Sequence, residues 1–281
     1  MNSISNKIGK DDLLEYLKKC SKYSVFNKDI AFSLAINAIK YYKGNKSVRD
    51  SLRIFQETEI KWYESLKNGK PDYSIYDGTY YLSDLWACWI VYSRPYLLSI
   101  NSPKSLTDKS IIQDIGNIDS VVDLGCGFGY TTGVLKELFP KADVYGTNLE
   151  TTSQYKIATE FGKKYNFYII SDLNKLSKAD LIFASEYFEH IERPVEHLLS
   201  ILTIAKPKYL IIANAFNALS VGHFIKYFHG KAEYTGKEIS KLFNDTLRSH
   251  GFEKVKTTLW NNRPTYWKKV SIRKPLNSLF S

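Results

Sequence analysis

Cysteine, methionine and long apolar stretches are all scarce in this chain. Its three cysteines, Cys20, Cys88 and Cys126, cannot all pair and are too widely spaced for a cysteine-based cluster. That scarcity excludes a disulfide framework and leads to the expectation of a reduced, cytoplasmic protein with no bound metal. The longest apolar run, Leu85 to Tyr92, is far too short to cross a bilayer. Residues 1–10 are polar, so no N-terminal targeting signal is expected. Acidic residues are also in deficit, with 29 Asp and Glu against 39 Lys and Arg, a formal charge of +10. Such a balance admits nucleic acid, a phosphorylated acceptor or a membrane surface as partner, or simply a lysine-rich solvated exterior. With 44% hydrophobic residues, the chain is rich enough in apolar side chains for a real core, which excludes disorder. No internal repeat is visible.

What the chain does have is Val121-Val122-Asp123-Leu124-Gly125-Cys126-Gly127-Phe128-Gly129, followed by a helical pattern from Tyr130. Two β-branched residues lead to an acid, and three glycines alternate before the helix begins. That pattern reads as a buried strand, a loop stripped of side chains and a helix N-terminus. Unpaired N–H groups and the helix dipole there favour a carboxylate or phosphate lying against bare backbone. The spacing Gly-x-Gly-x-Gly differs from the Gly-x-Gly-x-x-Gly of dinucleotide sites, because Gly129 is followed by Tyr130 and Thr131.

Around this loop the hydrophobic period divides the chain in two. Residues 1–106 read as helical, with apolar residues three or four apart over Asp11–Lys19, Lys28–Tyr42 and Lys46–Leu66, and a fourth helix capped by Ser83 and Asp84 and running to Ile100. From 107 to 281 short β-rich runs alternate with helices. Strands are expected over Val121–Leu124, Asp143–Thr147, Phe167–Ile170, Leu181–Ala184 and Tyr209–Ala213. Helices are expected over Thr131–Leu138, Ser153–Lys164, Pro194–Ala205 and Gly236–His250, and a terminal hairpin turns at Asn261-Asn262-Arg263-Pro264. Strand–helix alternation of this length implies right-handed crossovers and a parallel sheet covered on both faces.

The acid-led glycine loop resembles motif I of the class I S-adenosylmethionine-dependent methyltransferases, and five parallel strands followed by a hairpin resemble that family's seven-stranded, mostly parallel Rossmann-like sheet. The resemblance covers 107–281 and implies S-adenosylmethionine as cofactor. It places the methionine part against Gly125, Cys126, Gly127 and Gly129, with Asp123 orienting the loop. At the end of the second strand the family commonly has an acid for the ribose hydroxyls. This chain has Asn148, followed by Leu149, with Glu150 as a more distant substitute. After the third strand, Asp172 and Leu173 match the adenine-binding positions. After the fourth, Ser185 leads into Glu186-Tyr187-Phe188-Glu189-His190, which resembles the small-molecule form of motif IV and lacks the Asp/Asn-Pro-Pro-Tyr/Phe tetrad of enzymes that methylate base amines.

An acceptor hydroxyl or ammonium must lose a proton, so a base is needed beside the transferred methyl. Glu186, His190 and His223 are the candidates; His223 falls between the fifth strand and the next helix, where related enzymes carry an aromatic-flanked histidine. The loop tyrosines Tyr76, Tyr80 and Tyr81, with Tyr73, are candidate substrate or lid residues able to stabilise a sulfonium by cation–π contact. The leading expectation is therefore methyl transfer to O or N of a small polar acceptor such as a sugar or metabolite. Two alternatives stand beside it: an RNA or DNA methyltransferase gripping phosphates with the basic C-terminal hairpin, and a non-catalytic binding module on the same fold.

Overall fold

The computed structural model describes residues 48–77, 109–176, 178–257 and 264–270. The expected helices over 11–19, 28–42 and 83–100 lie outside the described residues. So do Cys20, Cys88, Tyr80 and Tyr81.

In chain order the described elements begin with helix α1 (Val48–Lys67), the counterpart of the expected third helix, and a 3-10 turn over Tyr73–Asp77. After α2 (Ile111–Ile115) come β1 (Ser120–Leu124), α3 (Tyr130–Leu138), β2 (Asp143–Thr147), α4 (Ser153–Tyr165) and β3 (Tyr168–Ile170). The chain continues through β4 (Leu181–Ser185), α5 (Pro194–Ala205) and β5 (Tyr209–Ala213). A small ribbon of β6 (Tyr227–His229) and β7 (Ala232–Tyr234) precedes α6 (Gly236–Ser249), β8 (Phe252–Val255) and β9 (Thr265–Lys269).

Seven strands form one sheet in the order β3-β2-β1-β4-β5-β9-β8. The first five are parallel, and β9 runs antiparallel to both β5 and β8. This is the doubly wound arrangement expected from the alternating pattern. The winding proceeds outward from β1 to β3, then returns to β4 at the other side of β1. Strand order therefore reverses between β1 and β4, and a crevice opens at their carboxyl ends. The central strands read as continuous apolar runs because both faces are covered: Val121, Val122, Leu181, Ile182, Leu210 and Ile211 are fully buried.

Local chemistry sets the helix ends. Thr152 caps α4 by accepting from the Tyr155 amide, and Asn166 ends it in the left-handed conformation. Thr235 and Glu238 form a reciprocal capping box on α6. Three elements are absent from the sequence expectation. The helix α2 is a single turn held by a Ser110–Gln113 capping box, and β6 and β7 have three residues each, too few for a period to register.

On the face of the sheet carrying α5 and α6, Phe243 meets Phe188 with ring centroids 4.7 Å apart and Phe216 at 5.7 Å. This cluster supports the chain that follows β4 from beneath. At the opposite, amino end of the sheet, buried Asp180 accepts from the Asp119 amide and pairs with Lys178 and Lys208. Burial opposes its ionisation, but Lys178, the Asp119 amide and Lys208 together hold its carboxyl down at about 2.

Phe243→Ala should lower the free energy of unfolding by about 3–5 kcal/mol in urea titration, since it empties the centre of an aromatic cluster. Because the folded-state value of Asp180 lies below its ordinary 3.8, its contribution is present above that value and lost as pH falls toward 2. Asp180→Asn should accordingly flatten the stability-versus-pH curve in that window, as followed by circular dichroism.

Candidate functional site

The glycine loop closes β1 and opens α3. Gly125, Gly127 and Gly129 all have positive φ, at 67°, 55° and 84°, so the turn uses backbone that L side chains rarely adopt. Asp123 anchors it. Its buried carboxyl accepts from Thr131 Oγ1 at 2.6 Å and Thr132 Oγ1 at 2.7 Å, tying the end of the strand to the first turn of the helix. Burial pushes its ionisation up to about 6, against the pull of the two hydroxyls. Cys126 is buried in the same turn, its amide donating to the Thr147 carbonyl while Thr147 Oγ1 accepts from the Gly125 amide. The loop is thus stitched to the end of β2 as well.

Next along the crevice is the end of β2. Asn148 Nδ2 donates to the Gly127 carbonyl at 2.7 Å, and its Oδ1 accepts from the Leu149 amide. Leu149 is half exposed. Glu150 accepts from Ser171 Oγ, joining the ends of β2 and β3. Beyond β3, Asp172 Oδ1 accepts from the Asn174 amide and side chain, capping the 3-10 turn Leu173–Lys175. All the positions expected to face the cofactor therefore lie along one edge of the sheet.

The end of β4 gathers the titratable side chains of the crevice. Ser185 is its last residue, and Glu186 follows with φ 51°, a left-handed conformation uncommon for a side-chain-bearing residue. The reversal carries Tyr187 back over the loop: a Cβ added to Gly125 would sit 2.6 Å from Tyr187 Cδ2. The 3-10 turn Phe188–His190 then points Glu189 inward. Glu189 is fully buried; Oε1 accepts from the Ala215 amide at 2.8 Å, and Oε2 finds no hydrogen-bond donor among the described residues. Burial, with Glu186 beside it, pushes the Glu189 carboxyl well above the usual range.

His223 completes this group. Carboxylate oxygens of Glu186 and Glu189 and a ring nitrogen of His223 all lie within 4.8 Å of one another. His223 Nδ1 donates to the Ala218 carbonyl at 2.8 Å, which leaves Nε2 with the lone pair. Burial holds its pKa below 6.5, against the Ala218 hydrogen bond and the charge of Glu186. His190 packs edge-on against it, ring centroids 4.7 Å apart, and burial followed by the His223 charge pushes His190 down to about 3. Burial therefore inclines both imidazoles toward the neutral form.

Part of the N-terminal region closes over these histidines. Trp62 is fully buried and its Nε1 donates to the His223 carbonyl at 2.7 Å. Tyr63 donates to the Ser220 carbonyl, and Tyr76 Oη lies 3.0 Å from His190 Nδ1. Gln154, on α4, donates to the Tyr76 carbonyl, so the segment bridges both walls of the crevice.

The sequence reading names His223, His190 and Glu186 separately; the fold brings them together. It passes over Glu189, although the Glu-x-x-Glu spacing from Glu186 was there to be read. Tyr187 and Trp62 were equally unmarked, since an aromatic side chain in a sequence carries no signal of where it docks.

A family model described as a methyltransferase domain matches residues 94–255. The ubiquinone biosynthesis O-methyltransferases of two Rickettsia bellii strains, OSU 85-389 and RML369-C, are each 30% identical over 114 residues, 39% of this chain and 46% of theirs. The chain thus spans about half the length of the curated relatives it matches. Among solved structures, a SAM-dependent methyltransferase from Aquifex aeolicus is 17% identical, covering 63% of this chain and 92% of that one with a TM-score of 0.39. An O-methyltransferase of a Brevibacillus brevis trans-AT polyketide synthase, in complex with S-adenosyl-L-homocysteine, is 20% identical, covering 39% and 42% with a TM-score of 0.31. By its family match, with a sheet of the expected order, the chain belongs to the S-adenosylmethionine-dependent methyltransferases of the class I, Rossmann-like fold.

Proposed function

We propose that this enzyme binds S-adenosylmethionine over the glycine loop and methylates a hydroxyl oxygen of a small polar acceptor held against Glu186, Glu189 and His223. One observation carries the reading. The ring of Tyr187 lies on Gly125 while its neighbour Glu186 belongs to the carboxylate–imidazole cluster, so loop and cluster are adjoining walls of one crevice.

The residues fit the cofactor. Bare backbone at Gly125, Cys126, Gly127 and Gly129 suits its amino-acid part, held in shape by Asp123. Leu149 borders the ribose position, while Asp172 and Leu173 border the adenine. Asn148 braces the Gly127 carbonyl with one N–H and accepts from the Leu149 amide, which leaves its second N–H and a second lone pair for the ribose hydroxyls. When bound, S-adenosylmethionine supplies an electrophilic methyl: the acceptor oxygen forms a C–O bond as the C–S bond breaks, its electron pair staying on sulfur.

The chain's own task is to place the acceptor in line and to remove a proton. His223, with Nε2 free of Nδ1's hydrogen bond, and the Glu186 carboxylate beside it supply the basic surroundings this needs. His190 is held neutral behind it, and Tyr76 sets its orientation. The O-methyltransferase names of the Rickettsia relatives fit an oxygen acceptor.

Gly127→Val should weaken binding of S-adenosyl-L-homocysteine by at least about a hundredfold, some 3 kcal/mol, in calorimetry. The circular dichroism spectrum should stay unchanged, and an unaltered affinity would displace the cofactor from this loop. His223→Ala should lower turnover by about 10²–10⁴-fold with little change in that affinity. Tritiated-methyl transfer into fractionated cell extract supplies the assay, and label is expected in small molecules.

A further inference from the structure

We propose that Glu186, Glu189 and His223 bind one divalent cation of the Mg²⁺ or Mn²⁺ class, which positions the acceptor hydroxyl and makes it more acidic. The proposal rests on the methyl-transfer reading above.

The geometry comes first. Oxygen and nitrogen ligands about 2.1 Å from a common ion stand up to about 4.2 Å apart across it. Three candidate ligand atoms already within 4.8 Å of one another need only a small closing movement to share one ion.

A second, independent observation is the state of Glu189. Its side chain is wholly buried, one oxygen held by the Ala215 amide and the other without a donor among the described residues. A buried carboxylate oxygen with no partner is costly, and a second carboxylate at its side makes it worse. A shared proton would relieve the pair of carboxylates but gives no reason for the imidazole. A cation uses all three groups.

His223 is also prepared as a ligand. Metal-bound histidines characteristically donate the other ring N–H to a carbonyl, which fixes tautomer and orientation. His223 Nδ1 makes that bond to Ala218, and Trp62 pins the His223 backbone from the opposite side. Glu186 adds strain: its left-handed backbone is held by a hydrogen bond that its N–H donates to the Ala213 carbonyl. Because Glu186 is exposed, the side facing the crevice stays open, as an ion that must also take an acceptor oxygen requires. Two carboxylates with one imidazole suit a hard or borderline divalent ion rather than a soft one. Coordination lowers the pKa of an acceptor O–H, as it does for water, and the released proton passes to solvent through the open side.

The test uses the full chain, treated with chelator and titrated with Mn²⁺ under electron paramagnetic resonance. One Mn²⁺ per chain is expected, competed by Mg²⁺. Glu186→Gln, at an exposed position that leaves the fold intact, should weaken it at least tenfold, and Glu189→Gln likewise. Absence of saturable binding, or an unchanged affinity in Glu186→Gln, overturns the site. Calorimetry with S-adenosyl-L-homocysteine, run in parallel, separates the two readings. Retained nucleoside binding without Mn²⁺ binding removes the cation alone. Saturable Mn²⁺ binding without nucleoside binding supports the site and removes the methyl-transfer reading.

Discussion

A buried carboxyl at the end of the first strand fixes the shape on which everything else depends. Asp123 receives two hydroxyl hydrogen bonds from consecutive threonines at the start of α3, so strand and helix meet at one angle. Between those fixed ends only five residues, three of them glycine, make the turn. The alternation of glycine lets the backbone pass through positive φ three times without a side chain entering the crevice. Asn148 and Thr147 then brace the loop from β2, which makes the cradle a property of two strands rather than of one flexible segment. Preorganisation of this kind reduces the ordering that a ligand must otherwise impose.

The opposite wall is built on a different principle. Carboxylates and imidazoles are gathered where burial is high, and the surroundings oppose charge on nearly every member. Burial raises Glu189 and lowers both histidines, so the same desolvation leaves each of them inclined to neutrality. The N-terminal segment reinforces this by excluding water: Trp62 is edge-on to Phe224 at 5.4 Å and Tyr76 covers His190. Such clamping couples the helical region to the chemistry through backbone carbonyls, where a side-chain substitution on the histidine loop alone would not reveal it.

Much of the scaffold was legible because short, β-rich apolar runs alternate with helical segments of period 3.6 from residue 120 onward. The boundaries of β2, β5 and α5 coincide with the expected ones, since Pro194 and the apolar run of β5 leave little freedom. The glycine loop was equally plain, being a local covalent pattern. The cluster was not, because it assembles from two segments more than thirty residues apart. Glu189 and His223 meet only after β5 returns beside β4 and the 214–224 stretch folds back, with Ala215 and Phe224 both bonded to Glu189. The expectation of no metal rests on the shortage of cysteine, whereas the cation proposed above uses carboxylate and imidazole, which leave no such signature in a sequence.

The basic C-terminal hairpin shows how composition and structure diverge. By charge alone it is a phosphate-binding surface. In the fold, Lys268 is paired with Asp114 on α2, and Arg248 and Lys254 stand over the face of Trp267 at 5.8 and 5.9 Å. Lys269 lies 4.8 Å from the ring centroid of Phe252. These cations are engaged in covering the edge of the sheet, where aliphatic stems and charged heads shield apolar rings from water. That edge, β9-β8, is also separated from the glycine loop by β4 and β5. For Lys268, Arg248, Lys254 and Lys269, the positive charge is therefore engaged in packing.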